Sequence, residues 1–107
     1  MKAILDNCIP KGLKAHLIAH FDLVKECREM GWAELANGKL LGVAQSEFDV
    51  FITVDSGIQF QQNLPKFDLR FVVIKVRRNR IDHLLPLVND IVKAAYEVEV
   101  GQVVLVE

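Results

Sequence analysis

Two aspartates stand out because each directly follows a short apolar run. Asp6 comes after residues 3–5, and Asp55 comes after residues 50–54. Runs this short, rich in β-branched or large apolar residues, are typical of buried strands in a parallel sheet. An open α/β sheet binds its ligands at the carboxyl ends of the strands, near the point where strand order reverses. We therefore predict that Asp6 and Asp55 lie together on neighbouring strands and share a divalent cation such as Mg²⁺ or Mn²⁺.

A plainer interpretation of each aspartate also exists. A lone aspartate after a strand commonly forms a turn or caps a helix, because its side chain accepts hydrogen bonds from nearby backbone N–H groups. The amide oxygens of Asn7 and Asn37 could complete the coordination of a cation. Capping is the better explanation for Asn37, which precedes Gly38. From the residues alone, the metal site and the plainer interpretation stay equally open.

A group of cations has the chemistry to contact phosphate. Lys75, Arg77, Arg78 and Arg80 lie close together at the end of the strongly apolar run 71–74. Cations at the start of a helix oppose its dipole, so helix stability does not explain Arg78 and Arg80. The negatively charged phosphates of a nucleic acid would pair with these side chains. A solvated loop is the alternative, and the sequence favours it slightly.

Uncharged amides follow the second aspartate. Gln61, Gln62 and Asn63 come shortly after Asp55 and could orient a substrate, cap backbone groups or face water. Trp32, the only tryptophan, is more simply explained as a cover over the core than as a platform for stacking bases. The amides therefore remain candidate substrate contacts.

Composition limits the function classes. The chain has 107 residues and a formal net charge of −1, which indicates one domain, residues 1–107, without a global attraction to nucleic acid. No apolar run suits a membrane span, and the first residues lack a leader-like apolar region. Cys8 and Cys27 fit free thiols in a reducing compartment. We therefore expect a cytoplasmic protein with no membrane association.

Strands and helices alternate along the whole chain, which predicts a three-layer α/β/α fold with a mainly parallel, five-stranded sheet. Asn37 and Asn79 are the expected N-caps of two helices, and Pro10 suits the first turn of another. Pro86 should kink the last helix or restart it. The predicted strands are residues 3–5, 23–24, 50–54, 69–76 and 103–106. The predicted helices are residues 10–21, 37–48 and 79–95, and residues 56–63 are predicted to form a polar turn or a short helix.

Several motifs in this order resemble the short bacterial PIN-like proteins, which are catalogued as a domain of unknown function. The resemblance covers nearly the whole chain, and the ordered set is more specific than any single motif. The motifs are Leu5-Asp6-Asn7-Cys8-Ile9-Pro10, Glu29-Met30-Gly31-Trp32, Asn37-Gly38-Lys39-Leu40-Leu41, Phe48-Asp49-Val50-Phe51-Ile52-Thr53-Val54-Asp55 and Gln61-Gln62-Asn63-Leu64.

The resemblance implies a PIN-type fold and a Mg²⁺- or Mn²⁺-dependent ribonuclease, often the toxin partner of a small antitoxin protein. Asp6 and Asp55 match acidic positions of the family. Asn7 stands where relatives commonly carry Glu, and Asn37 stands where broader PIN-like sequences often have Asp. Fewer carboxylates weaken Mg²⁺ binding, so the resemblance implies a weakened enzyme that acts on RNA. A homodimer is also open.

Two alternatives come from other classes of protein. A PIN-like module that lost its metal and only binds a partner is the first, and Asn7 and Asn37 favour it. A response-regulator receiver is the second, since it also carries acids after its first and third strands. The receiver is less well supported, because the strand after Asp55 ends without Ser or Thr.

Overall fold

A five-stranded sheet lies at the centre of the protein in the computed structural model, which describes residues 1–107. Its strands are β1 (Lys2–Leu5), β2 (Leu23–Glu26), β3 (Val50–Thr53), β4 (Arg70–Ile74) and β5 (Val103–Val106). Their order in space is β2-β1-β3-β4-β5, and every neighbouring pair is parallel. The predicted five-stranded sheet is confirmed, and it is parallel throughout.

Helices cover both faces of this sheet. They are α1 (Leu13–Leu17), α2 (Asn37–Ala44), α3 (Ile58–Gln61), α4 (Ile81–Leu84) and α5 (Val88–Glu97), with 3₁₀ turns at Ile18–His20, Cys27–Met30, Leu64–Lys66 and Leu85–Leu87. Residues of α1, α4 and α5 form one apolar cluster with the sheet, and residues of α2 and α3 form the other. The predicted three-layer α/β/α fold is therefore confirmed. None of the helices has the length and apolar character that crossing a bilayer requires.

Burial on both faces explains why the central strands are uniformly apolar. Leu5 and Ile52 point into one cluster, whereas Ile4 and Phe51 point into the other, and all four are fully buried. Side chains on a strand alternate between its two faces, so a central strand covered by helices on both sides needs apolar residues at every position. This requirement produces the short apolar runs that mark β1 and β3 in the sequence.

The order of the strands reverses between β1 and β3, as predicted from the two aspartates. Leu5 is paired with Ile52, and the backbone N–H of Asp6 donates to the carbonyl of Ile52 at 2.9 Å. The ladder between the two strands thus extends to the residue that follows β1. Crevices at such a switch point are where open α/β sheets bind ligands.

Two predicted helix caps are wrong. Asn37 is the first residue of α2, and the cap position belongs to Ala36, which makes no side-chain capping bond. Asn79 lies one residue before Arg80, the N-cap of α4, and its side chain donates instead to the carbonyl of Cys8 at 2.7 Å. The Asn79 amide thus makes a tertiary hydrogen bond instead of capping the helix that follows it.

Helix lengths also differ from the prediction. The first helix begins at Leu13 rather than near Pro10, because Gly12 has a φ of 101°, in the left-handed region that interrupts helical geometry. The second ends at Ala44 rather than near Phe48, where the carbonyl of Ala44 accepts the N–H of Phe48 in a closing turn. The interruption at Pro86 is confirmed, because a 3₁₀ turn separates α4 from α5 there.

Candidate functional site

Asp6 is a buried carboxylate that is fixed by its neighbours. It is only 7% exposed. Its Oδ1 accepts the backbone N–H of Asn7 at 2.8 Å, and its Oδ2 accepts the hydroxyl of Thr53 at 2.7 Å and the thiol of Cys8 at 3.5 Å. No cation of the protein pairs with it. Hydrogen bonds from neutral donors therefore replace part of the hydration that burial removes.

Thr53 links the two aspartates. It is the last residue of β3 and is fully buried. Its Oγ1 donates to Asp6 Oδ2 and accepts the backbone N–H of Asp55 at 3.0 Å. One hydroxyl therefore satisfies a polar group on each of the two chain segments that carry the predicted ligands.

Asp55 is held in a different way, in a turn of its own. Its Oδ1 accepts the backbone N–H of Gly57 at 2.9 Å, an arrangement typical of aspartate in turns. Its Oδ2 has no donor from the protein, and the residue is half-buried. Asp55 thus combines a fixed position with an oxygen that is free to bind a ligand.

The amides after Asp55 lie around the same turn. A Cβ built on Gly57 would lie 3.2 Å from Asp55 Oδ1 and 3.3 Å from Gln61 Nε2, so the Gln61 amide approaches the turn that holds Asp55. A side chain at position 57 would be tight against both groups. Asn63 is exposed on the surface after α3.

The start of α2 meets the same group of amides. A Cβ on Gly38 would lie 3.3 Å from Gln62 Oε1, so the Gln62 amide covers the first turn of α2 beside Asn37. Asn7 is exposed, and its Nδ2 donates to the carbonyl of Ala33 at 3.3 Å. Asn7 is thus tied to Asp6 by its backbone, while its side chain reaches the loop that leads to α2.

The predicted phosphate contacts follow β4, the strand next to β3. Lys75, Arg77, Arg78 and Arg80 are all exposed. Arg80 pairs with Asp82 at 3.2 Å, whereas Arg77 and Arg78 form no salt bridge. These cations share the carboxyl edge of the sheet with Asp6 and Asp55, and most of them are free to meet an anion.

The pKa values of the two thiols near Asp6 are raised, which disfavours their nucleophilic thiolate form. Burial raises the pKa of the Cys8 thiol, and the negative charge of Asp6 raises it further. Burial likewise raises the pKa of Cys27 to about 12, again with a contribution from Asp6. A thiol must lose its proton to attack or to bind a metal strongly, so both cysteines act here as neutral groups.

The donor set suits a hard cation with few protein ligands. No group of three or more His, Cys, Asp or Glu side chains is placed to hold a metal ion, which argues against a structural zinc site. Mg²⁺ needs only one or two carboxylates when water and a substrate phosphate supply the other oxygens. Of the two predicted ligands, Asp55 has an oxygen without a protein donor, whereas both oxygens of Asp6 accept hydrogen bonds. Mn²⁺ shares the preference of Mg²⁺ for oxygen ligands.

The site is an open edge rather than an enclosed pocket. Two concavities are present, one between α5 and β5 and one beside α1, and neither is lined by Asp6 or Asp55. Small-molecule sites are usually deep and apolar. At this edge Asp6 is buried, Asp55 is half-buried and the cations are exposed.

Comparison with known proteins adds no assignment. The chain matches no family model, no curated protein and no solved structure. Its strand order is one of the common orders of doubly wound sheets, which carry many unrelated functions. The resemblance to PIN-like proteins therefore remains a prediction.

Proposed function

We propose that the protein is a PIN-like ribonuclease that depends on a divalent metal, with Asp6 and Asp55 as the metal ligands. The observation that carries this proposal is the hydrogen-bond link from Asp6 through the Thr53 hydroxyl to the backbone of Asp55. Asp6 is a buried carboxylate without a cationic partner, a costly arrangement that its hydrogen bonds only partly offset, and it lies at the switch point of the sheet.

Each residue has a separate task in this proposal. Thr53 and the backbone N–H of Asn7 hold Asp6 in place, and the free Oδ2 of Asp55 takes a ligand. When bound, Mg²⁺ or Mn²⁺ supplies a Lewis acid for the scissile phosphate and lowers the pKa of a bound water. Arg77 and Arg78 attract the RNA phosphates on either side of the scissile phosphate.

Activity should be weak because two positions carry amides. Asn7 and Asn37 stand where the PIN-like resemblance leads us to expect carboxylates. An amide oxygen is a neutral ligand, so it attracts a divalent cation less than a carboxylate does. A cytoplasmic toxin held by a small antitoxin protein remains the cellular role that the resemblance implies.

A binding module without catalysis is the second candidate. The low exposure of Asp6 favours it, because both oxygens of that carboxylate already accept hydrogen bonds. The receiver ranks third. Its strand order is the same as that found here, but β4 ends at Ile74 and contains no Ser or Thr.

RNA cleavage tests the enzyme directly. We expect the purified protein to cut single-stranded RNA faster with Mn²⁺ than with Mg²⁺ and to stop in EDTA. Asp55→Asn should reduce the rate by at least about 100-fold, because metal stabilisation of the transition state amounts to several kcal/mol. Asn7→Glu should raise the rate by adding a carboxylate.

Asp68→Asn is the matched control, since Asp68 is exposed and precedes β4 at the opposite edge of the sheet. It should cut RNA like the unchanged protein. If the unchanged protein and the Asn7→Glu variant both leave RNA intact in Mn²⁺, the ribonuclease is excluded and the binding module takes its place.

A further inference from the structure

Phe60 is an apolar side chain that folding leaves in water. It lies in α3 and is 85% exposed, more than any other large hydrophobic residue of the chain. The ring therefore adds almost nothing to the core. Single exposed apolar residues are ordinary on protein surfaces, so exposure alone assigns no role. Its position relative to the site is the informative part.

The backbone around Phe60 is fixed to the turn that holds Asp55. The Gly57 carbonyl accepts the N–H groups of Phe60 at 3.0 Å and Gln61 at 3.1 Å, while the Gly57 N–H donates to Asp55 Oδ1. Ile58 is fully buried and anchors the other side of α3. A four-residue helix is only about 6 Å long, so the backbone of Phe60 stays near the turn that holds Asp55.

The neighbours of Phe60 suit a nucleobase better than a protein surface. No charged residue occurs between Asp55 and Lys66, and the residues flanking the ring carry amides. Amides donate and accept hydrogen bonds as the edges of bases require, and an aromatic face offers stacking to any base. An apolar protein partner would be expected to meet further exposed apolar side chains, and Phe60 is the only one on α3.

The cations after β4 supply the other half of such a contact. Arg77 and Arg78 are exposed and lack carboxylate partners, and they follow the strand that neighbours β3. Proteins that bind single-stranded nucleic acid combine a charged track for the phosphates with aromatic rings for the bases. Asp55, whose turn holds α3, and the two arginines follow the carboxyl ends of the neighbouring strands β3 and β4.

We propose that Phe60 is a stacking platform for a base of single-stranded RNA that enters the site beside Asp55. The assignment rests on the proposed function, because it names the substrate contact of the same site. Trp32 does not compete for this role, since its ring packs edge-on against Phe48 with centroids 6.0 Å apart and is partly buried.

Binding can be measured without cleavage. In the Asp55→Asn protein with EDTA, a fluorescently labelled single-stranded RNA oligonucleotide should bind with a measurable Kd. Adding Phe60→Ala should weaken binding by about 5- to 100-fold, the loss expected for one stacked base. Phe60→Trp should bind as well as the parent or better, whereas Phe60→Leu should behave like Phe60→Ala because leucine has no aromatic face.

Two controls separate stacking from other effects. Ile18→Ala removes an exposed apolar side chain between α1 and β2, outside the residues proposed to contact RNA, and should leave the Kd unchanged. Phe60→Ala should keep the dependence of affinity on salt, because stacking releases no counterions. Its midpoint of thermal unfolding should also stay the same, since the ring is exposed.

Several results would overturn the platform. The first is that the Asp55→Asn parent does not bind RNA, and the second is that Phe60→Leu binds RNA as well as the parent. The third is that Phe60→Ala dissociates a dimer without changing the Kd for RNA. The last result would assign the ring to contacts between copies of the chain. If cleavage depends on Asp55 but RNA binding does not depend on Phe60, only the stacking platform is excluded. If RNA binding depends on Phe60 but no cleavage occurs, only the nuclease is excluded.

Discussion

The carboxyl edge of the sheet contains two regions with opposite construction. At the ends of β1 and β3, the acids and the hydroxyl that joins them are buried or half-buried, and every buried polar side-chain atom has a hydrogen-bond partner. After β4, the cations are exposed and mostly unpaired. Folding therefore fixes the acids of Asp6 and Asp55, whereas water surrounds Arg77 and Arg78.

The difference matches what each region is proposed to do. Ligands of a metal have to be held within a fraction of an ångström, and this requires buried partners such as Thr53. Attraction of a phosphate chain acts over a longer range and tolerates mobile side chains. Substitutions at the acidic end should change stability and metal binding, and substitutions at the cationic end should change only RNA affinity.

Thr53→Val gives the largest expected effect on stability. Valine keeps the shape of threonine but removes the hydroxyl, which leaves the Asp55 N–H and part of the Asp6 carboxylate without their partner. Such a loss costs about 1–3 kcal/mol of the free energy of unfolding. Urea unfolding should show the loss, and Thr53→Ser, which keeps the hydroxyl, should retain more of the stability. Equal midpoints for Thr53→Val and the unchanged protein would show that the link contributes nothing.

The sequence predicts that the two aspartates of this region follow neighbouring strands, but it does not predict the hydrogen bonds that link them. The apolar runs reveal β1 and β3 because burial on both faces leaves so few residue types possible. Thr53 becomes a partner of Asp6 only through register: Leu5 pairs with Ile52, so the next residues along the two strands face each other. A slip of one residue would reverse the faces, and a single chain does not encode register in an obvious way.

Helix caps show the same limit. Asn37 and Asn79 have the right chemistry to cap helices, yet the cap positions belong to Ala36 and Arg80. Asn79 instead contacts the Cys8 carbonyl, a residue far away in sequence. Local propensity cannot foresee a tertiary partner. The sequence likewise does not reveal that Phe60 is exposed, because a lone phenylalanine fits a core position as well as a surface one.

Alkaline pH should lower the free energy of unfolding because of the buried thiols near the two aspartates. Burial raises the pKa of Cys27 from 9.0 to about 12, and it raises that of Cys8 as well. The unfolded chain loses these protons first, so it binds fewer protons than the folded protein above about pH 9. The stabilisation is full below about pH 9 and is lost as the pH rises towards about 12.

Urea unfolding at about pH 8 and about pH 10 measures this effect. Between these two values, the unchanged protein should lose more unfolding free energy than Cys27→Ala does. An equal loss in the two proteins would mean that the buried thiol does not contribute to the pH dependence. The comparison uses the change with pH, so the cavity left by alanine does not matter.

Arginine substitutions after β4 should have the smallest effect on the folded state. Arg77→Ala and Arg78→Ala should change the free energy of unfolding by less than about 0.5 kcal/mol, because both side chains are exposed. Each should lower the slope of log affinity for single-stranded RNA against log salt by about 0.7. Lys93→Ala, on the exposed surface of α5, is the control and should keep the slope. If neither arginine substitution changes this slope, the cations after β4 do not contact the RNA.

Calorimetric titration with Mn²⁺ tests the shared cation site of Asp6 and Asp55 most directly. The unchanged protein should bind Mn²⁺, and both Asp6→Asn and Asp55→Asn should weaken binding by at least about 10-fold, since each removes a charged ligand. Asp68→Asn should bind like the unchanged protein. Equal heats from the unchanged protein and the two site variants, or no heat from the unchanged protein, would contradict the site.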